Sequence, residues 1–207
     1  MVAGTSRGVR TVWAVVAAIF LVSGPAFSQV VINELMYYPL EPWPPTQEFR
    51  TTNRTEYIEI FNAGASPVDL GSYRFEDGVS FDFTPGTILA PGAYAVICED
   101  LNTFTNAYPS VTNLVGQYSG RLSNGGERIT LSCFTNGVWA TQDTIHYIDD
   151  EGSDGTSYSL ELVNPGLFRA PNQYFYDWMT SLTVSGTPGE VNSVIDPFPP
   201  PIAGDVE

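Results

Sequence analysis

Short β-rich runs separated by glycine and proline constrain the fold of this chain most strongly. The sequence holds 19 Gly and 16 Pro in 207 residues, and no long stretch repeats apolar residues at the 3.6-residue period of a helix. Runs rich in β-branched and aromatic residues recur instead, separated by turn residues such as Asp77-Gly78 and Asn136-Gly137. This pattern predicts an all-β sandwich of about eight or nine short strands, with little helix.

The strand boundaries follow from the same runs. The turn residues Asn136-Gly137 predict a tight hairpin between two of the strands. A short helix is expected over residues 101–108, because Pro109 would end it. The predicted strands are residues 30–36, 56–62, 68–76, 79–83, 93–98, 127–134, 138–148 and 157–163, with 174–179 as a last edge strand.

The N-terminus has the pattern of a secretory signal. Residues 1–10 carry Arg7 and Arg10 without an acid, and residues 11–22 contain no charge. Small residues then occupy the −3 and −1 positions of a cleavage site between Ser28 and Gln29. A membrane-spanning helix needs about 20 apolar residues, so we expect cleavage and export to the periplasm, the cell surface or the medium.

After the signal peptide, residues 1–28, the chain divides into two parts. Residues 29–192 have the length and punctuation of one β-sandwich domain. Residues 193–207 form a proline-rich tail or linker, which leads us to expect adjoining domains in the intact protein.

The charge balance limits the class of partner. The chain has 8 Lys and Arg against 23 Asp and Glu, and two of the cations lie in the signal, so the mature net charge is −17. Nucleic-acid binding needs clustered cations, and anionic membranes repel an acidic surface. The sequence therefore predicts no nucleic-acid partner and no membrane span after cleavage.

The two cysteines allow two interpretations. Export would place Cys98 and Cys133 in an oxidising compartment, where they could form one disulfide. Each also ends an apolar run, which is typical of a small buried thiol.

Several short motifs follow one another along the chain in a specific order. They are Ile32-Asn33-Glu34, EYIEIFNAG from Glu56, PVDLGSYRFEDG from Pro67, PGTILAPGAYAVI from Pro85, LSNGGERITL from Leu122, SYSLELVNP from Ser157, Trp178 and GTPGEVN from Gly186. In this order they resemble the lamin-tail domain in its bacterial exported form. This resemblance implies an immunoglobulin-like antiparallel β-sandwich without catalytic residues, of a kind that usually accompanies secreted or surface-attached hydrolases and other extracellular domains. The Tyr37-to-Arg54 loop is longer than usual for the family.

The residues argue against catalysis. The single histidine, His146, lies inside a predicted strand, and no nucleophile motif accompanies it. Glu34, Glu56 and Glu59 lie on predicted neighbouring strands, where a glycosidase pair of carboxylates is conceivable. Strand glutamates that face solvent or accept backbone hydrogen bonds are the simpler interpretation, so no catalytic residue is predicted.

An acidic segment from Asp149 to Asp154 offers a weak Ca²⁺ hypothesis. Counted from Asp150, Asp154 falls at position 5 and Glu161 at position 12 of an EF-hand-like loop. Gly152 occupies position 3 and the flanks are strand-like, which excludes a true EF-hand. A looser Ca²⁺ site remains as an alternative to a solvated acidic loop; no other metal or cofactor is expected.

Aromatic residues in the long loop are the last candidates. Tyr37, Tyr38 and Trp43 are suited to contact a protein partner or stack on a sugar. The alternative is that they cover an edge of the sandwich.

Together these observations predict a secreted, non-catalytic β-sandwich module for extracellular protein interaction or anchoring. The alternative is a Ca²⁺- or carbohydrate-binding module, and a small hydrolase is the least favoured class.

Overall fold

The computed structural model describes residues 30–39, 54–148, 157–166 and 177–195. Within these ranges the chain forms thirteen strands, one α-helix and a 3₁₀ turn at Leu70–Ser72. The strands are β1 (Val30–Met36), β2 (Tyr57–Asn62), β3 (Val68–Asp69), β4 (Tyr73–Glu76), β5 (Val79–Asp82), β6 (Ile88–Leu89), β7 (Tyr94–Cys98), β8 (Leu114–Gln117), β9 (Ser119–Gly120), β10 (Gly126–Thr135), β11 (Val138–Ile148), β12 (Tyr158–Leu162) and β13 (Trp178–Val184). The helix is α1 (Leu101–Ala107).

Two sheets pack face to face, as in an immunoglobulin-like sandwich, so the predicted fold class is confirmed. One sheet has six strands in the order β13-β12-β1-β2-β7-β8, and the other has five in the order β11-β10-β4-β5-β9. A two-stranded ribbon joins β3 to β6. The structure differs from the expectation in two respects: several two-residue strands raise the strand number, and β8 pairs with β7 in parallel.

The core lies between the two sheets because alternate side chains of each strand point inward. Leu160, Leu35 and Ile58 stand beside one another across β12, β1 and β2. They belong to one buried cluster with Phe75 and Leu131 of the five-stranded sheet. The residues between them along each strand therefore face away from the core.

A second apolar cluster covers part of the outer face of the six-stranded sheet. Phe104 of α1 packs there against Tyr57 and Val96. Asp100 caps the helix by accepting a hydrogen bond from Thr103 N at 2.9 Å. The predicted short helix is confirmed in this position. No helix in the described ranges has both the length and the apolarity to cross a bilayer.

The predicted hairpin between β10 and β11 is confirmed. Asn136 and Gly137 have φ angles of 52° and 82°, the left-handed conformation that a type I′ turn requires at both central positions. Register pairs continue from Thr135↔Val138 down to Gly126↔Ile148.

The two sheets are also joined by a hydrogen bond at one corner. The strand β1 is irregular between Ile32 and Glu34, and the Ile32 N–H donates to Asp143 Oδ2 of β11 at 2.8 Å. Asp143 is buried. A backbone donor that the irregular pairing would leave free is thereby satisfied.

The candidate disulfide is not formed, since both thiols are free. Cys98 ends β7 in the cluster on the outer face of its sheet, and its thiol donates to Gly116 O at 3.6 Å. Cys133 lies in β10 and packs against the main core between the sheets. The six-stranded sheet stands between the two environments, so the alternative of separate thiols describes this structure.

Candidate functional site

Three buried glutamates form a row across the outer face of the six-stranded sheet. In the register of the strands, Glu34 of β1 lies opposite both Glu161 of β12 and Glu59 of β2. All three have 0% exposure. Directly opposed side chains on one face of a sheet have Cβ atoms about 5 Å apart, so the three carboxylates are neighbours. We call these residues the carboxylate row.

The row is covered by residues 186–194, which follow β13 and which we call the clasp. Gly186 begins it in the left-handed conformation, with φ 73°. A Cβ at this position would overlap the Tyr57 hydroxyl and a carboxylate oxygen of Glu34. Only glycine therefore allows the chain to cross the sheet so closely.

Glu34 is the most heavily hydrogen-bonded member of the row. Its Oε1 accepts from the Tyr57 hydroxyl at 2.6 Å, from the Ser159 hydroxyl at 2.5 Å and from Thr187 N at 2.8 Å. Its Oε2 lies 3.4 Å from the Thr187 hydroxyl. Strands and clasp thus meet at one carboxyl group.

The other two carboxylates also accept from the clasp. Glu161 Oε1 accepts from the Thr187 hydroxyl at 2.9 Å, and its Oε2 accepts from the Ser193 hydroxyl at 2.8 Å and Val194 N at 3.1 Å. Glu59 Oε2 accepts from Gly189 N at 2.5 Å. Backbone and hydroxyl donors of one short segment thereby satisfy carboxylates from two strands.

Two buried asparagines join the clasp to β1. Asn33 Nδ2 donates to Glu59 Oε1 and to Asn192 Oδ1, both at 2.7 Å. Asn192 Nδ2 donates to Leu162 O at 2.8 Å and to Asn33 O at 3.2 Å. The Asn192 side chain thus bridges β1 and β12.

Burial dominates the electrostatics of the row. It raises the pKa of Glu34 to about 7, while the hydrogen bonds from Ser159, Tyr57 and Thr187 oppose the rise and the Glu161 charge adds to it. Burial also raises the pKa of Glu59, and the Glu34 charge increases this shift. The pKa of Tyr57 is raised by burial and by Glu34. Within the described ranges, no arginine or histidine forms an ion pair with the row.

A second carboxylate cluster, beside the start of β2 and the end of β7, does contain cations. Glu56 is buried, and it accepts from Arg121 Nε at 3.0 Å and from Leu122 N at 2.9 Å. Arg54 Nε donates to Glu99 Oε1 at 2.9 Å. Burial raises the pKa of Glu56 to about 7, opposed by the Leu122 N–H and by Arg121.

The hydrolase candidates do not come together. Glu34 and Glu59 share the row, but His146 is exposed on β11 between Ile145 and Tyr147, which face the core. His146 therefore lies on the outer face of the five-stranded sheet, across the sandwich from the row. Glu34 and Glu59 face away from the core, as the simpler interpretation of the sequence predicted. They are nevertheless not exposed to solvent, because the clasp covers them.

The row is also closed to a substrate. A surface depression beside the clasp is lined by residues that include Tyr94, Asn113, Pro188 and Gly189, and no member of the row lines it. Donors of the protein itself engage five of the six carboxylate oxygens, and the sixth, Glu34 Oε2, lies beside the Thr187 hydroxyl. This arrangement holds the clasp to the sheet and leaves no carboxylate open to a bound molecule.

The aromatic loop candidates are divided by the structure. Tyr37 is 1% exposed, and its ring packs 4.6 Å from that of Tyr147. Tyr38 packs against the same core and is partly buried. Trp43 lies outside the described residues. The Tyr37 side chain therefore belongs to the core in this structure, which agrees with the alternative that the loop aromatics cover the sandwich.

The Ca²⁺ candidates are divided in the same way. Asp150 and Asp154 lie outside the described residues, as do Ser28 and Gln29 of the cleavage site. Glu161 lies in β12, and the clasp already occupies both of its carboxylate oxygens. Among the described residues, no group of three or more His, Cys, Asp or Glu is arranged to hold a metal ion.

One surface was missed by the sequence analysis. The hairpin of β10 and β11 carries exposed Phe134, Val138 and Trp139 at its turn end. The Arg74 guanidinium lies 4.0 Å from the centroid of the Trp139 ring. The sequence signal for this surface was three apolar residues close to the predicted turn. It could not show that they are exposed, because their exposure depends on how far the hairpin extends past the end of β4.

Comparison with known families identifies one match. The model of the Lamin Tail Domain family matches residues 23–149, more than half of the chain. The matched span includes β1 to β11, whereas β12, β13 and the clasp follow it. No curated protein matches the sequence.

Proposed function

The chain belongs to the lamin tail domain family, and on that premise we propose that it is an exported, non-catalytic module that binds or anchors proteins outside the cytoplasm. The family is a non-enzymatic, immunoglobulin-like one. The closed carboxylate row and the separate position of His146 support the same view for this chain.

The observation that carries the proposal is the apolar end of the β10–β11 hairpin. Phe134, Val138 and Trp139 are 48%, 60% and 39% exposed. The last pair that β10 forms with β4 is Cys133↔Tyr73, so the part of the hairpin that carries these three residues extends past the end of β4. Aromatic side chains presented in this way are typical anchors in protein interfaces.

The hairpin end is held in place before any partner binds. Phe134 and Trp139 are opposed in the strand register, and their ring centroids are 5.3 Å apart. Arg74 packs over the Trp139 ring and forms an ion pair with Glu76. Side chains that are already ordered lose less conformational entropy on binding, which favours use of this surface as an interface.

The adjoining edge of β11 adds backbone groups to the same surface. Residues 138–141 are all exposed, and their sequence, VWAT, contains no charge or proline. Charges and prolines are the usual means of protecting a strand edge from pairing. The net charge of −17 after signal removal disfavours nucleic acid and anionic lipid as partners, so we propose a protein partner.

Binding to the envelope of the producing cell tests the interaction. We would label the protein from Gln29 onward, mix it with intact cells and envelope fractions, and measure sedimented label. The double variant Phe134→Ser, Trp139→Ser should lose tenfold or more of the binding. Ile88→Ser is the matched control, because Ile88 is 60% exposed on β6 outside the hairpin. Equal binding by the double variant and wild type would overturn the assigned surface.

Export is tested separately. Residues 1–40 fused to a reporter that is active only outside the cytoplasm should give activity, and Val15→Asp with Ile19→Asp should abolish it by interrupting the uncharged run. Reporter activity equal to that of a leaderless fusion would remove export from the proposal.

A further inference from the structure

The hydroxyl of Thr187 lies between two carboxyl groups of the row. Its Oγ1 is 2.9 Å from Glu161 Oε1 and 3.4 Å from Glu34 Oε2. A threonine hydroxyl has one hydrogen to donate. A single hydrogen can serve both oxygens only as a divided, weaker bond, whereas a proton on one of the two carboxyl groups, donated to Thr187, gives each contact a hydrogen of its own.

We propose that Glu34 is protonated on Oε2 when the clasp is closed, that it donates this hydrogen to Thr187, and that loss of the proton releases the clasp from the sheet. The Thr187 hydroxyl then donates to Glu161, giving a chain that runs from Glu34 through Thr187 to Glu161. The clasp is thus a pH-sensitive contact that is closed in acid and opened in base.

The distribution of donors assigns the proton to Glu34. Both oxygens of Glu59 accept from N–H groups, those of Asn33 and Gly189. Both oxygens of Glu161 accept from donors of the clasp, and the shorter Thr187 contact is to this residue. Within the described part of the chain, Glu34 Oε2 is the one oxygen of the six without a donor of its own.

The groups that face Glu34 offer no positive charge in the described ranges. They are Tyr57 and Glu59 from β2, Glu161 from β12, Tyr94 from β7 and Tyr108, which directly follows α1. Ionisation of Glu34 places a negative charge between two other carboxyl groups in a buried layer. Like charges directly opposed on a sheet are destabilising, and burial together with the Glu161 charge raises the pKa of Glu34 to about 7.

Release follows from where the donors come from. Thr187 N–H and O–H, Gly189 N–H, Ser193 O–H and Val194 N–H all belong to the clasp. If the segment lifts from the sheet, water replaces these donors and solvates the ionised row. The strands keep their ladder hydrogen bonds, so the opening is local.

Hydrogen–deuterium exchange tests the clasp directly. Exchange of the peptide that spans residues 182–195 would be measured at pH 6 and pH 8.5, and corrected for the intrinsic effect of pH on exchange. A group with a pKa near 7 that must be protonated for closure increases the open fraction about tenfold or more over this interval. We expect that loss of protection in this peptide, while peptides from β2 and β7 keep theirs.

Two variants complete the test. Glu34→Gln supplies an N–H donor in place of the protonated carboxyl, and it should hold the clasp closed at both pH values. Glu190→Gln removes an exposed clasp carboxylate and should keep the wild-type response. The ¹³C shift of the Glu34 carboxyl gives an independent readout in the unmodified protein. Titration of Glu34 near pH 4.5, or equal protection of wild type at both pH values, would overturn the proposal.

Discussion

The carboxylate row and the neighbouring Glu56 cluster both bury carboxyl groups, but different donors stabilise them. The row of Glu34, Glu59 and Glu161 is satisfied by hydroxyl and amide donors, with no cation among the described residues. The Glu56 cluster is satisfied in part by Arg121, whose side chain is 54% exposed. The carboxylate row depends on the position of the clasp, whereas the Glu56 cluster depends on the partly solvent-exposed charge of Arg121.

The two clusters should therefore respond to different perturbations. The carboxylate row loses its hydrogen-bond donors when a small steric change displaces the clasp, and salt has little effect on it. A charge solution tolerates movement of a long side chain, but it responds to ionic strength. Four substitutions test this contrast, and we give them in decreasing order of effect.

Gly186→Ala should have the largest effect. The added methyl meets Tyr57 and Glu34 at a residue with φ 73°, so we expect a loss of about 3–4 kcal/mol in unfolding free energy from overlap and backbone strain together. Urea denaturation measures it. Gly137→Ala is the control, because φ is 82° there and a Cβ meets no atom within 4 Å. A loss equal to that of the control would mean that the clasp does not press on the row.

Asn192→Ala removes the side chain that bridges β1 and β12. Asn33 and Leu162 would each keep a buried polar group without its partner, so we expect a loss of about 2–3 kcal/mol. Thermal unfolding at pH 6 measures this change. Asn102→Ala on the exposed face of α1 should lie within about 0.5 kcal/mol of wild type. An equal effect of the two substitutions would contradict the role of Asn192.

Arg121→Gln tests the charge solution through its pH dependence. Burial raises the pKa of Glu56 in the folded protein from 4.5 to about 7. The contribution of Glu56 to the free energy of unfolding is therefore fully present below pH 4.5 and is lost as the pH rises through 7. Loss of Arg121 raises that pKa further. We expect about 1–2 kcal/mol less stability at pH 8 and little change at pH 5.

Urea denaturation at both pH values measures the Arg121 effect. Arg128→Gln, which removes an exposed arginine of β10, is the control for net charge. A loss that is the same at pH 5 and pH 8 would show that Arg121 acts by packing and not by charge.

Arg54→Gln should have the smallest effect. Its side chain is 43% exposed and bonds Glu99 at 2.9 Å and Asp100 at 3.2 Å, so we expect a loss below about 1 kcal/mol. In 1 M NaCl the effect should vanish, since the screening length is then about 3 Å. The Asn192→Ala loss should persist in the same salt. Salt-sensitive loss in both variants would erase the distinction between the two clusters.

Local pattern was sufficient for the elements with strong signals. The predicted strands at 30–36 and 138–148 have the observed bounds of β1 and β11, because β-rich residues and a type I′ turn define them locally. The predicted strand at 68–76 is interrupted by the turn at Leu70–Ser72. Gly71 approaches the backbone of Pro85 there, a contact that depends on a distant part of the chain.

The candidate site depended on contacts that no local pattern contains. The glutamates of β1 and β2 were recognised as neighbours, and their direction away from the core follows from strand alternation. Their burial comes from residues 186–194, whose sequence suggests only turns. Strand β8 was missed because Leu114–Gln117 is short and takes its position from β7.

The position of β1 in the middle of its sheet governs the order of folding. Its neighbour β12 is encoded far along the chain, and Ser159 and Glu34, which are hydrogen-bonded, are separated by 125 residues. A chain that emerges from its N-terminus must therefore hold the first strand with one open edge until almost the whole domain has been delivered. High contact order of this kind slows folding and prolongs exposure to aggregation. On the proposed export, the same delay would keep the chain unfolded while it crosses the membrane.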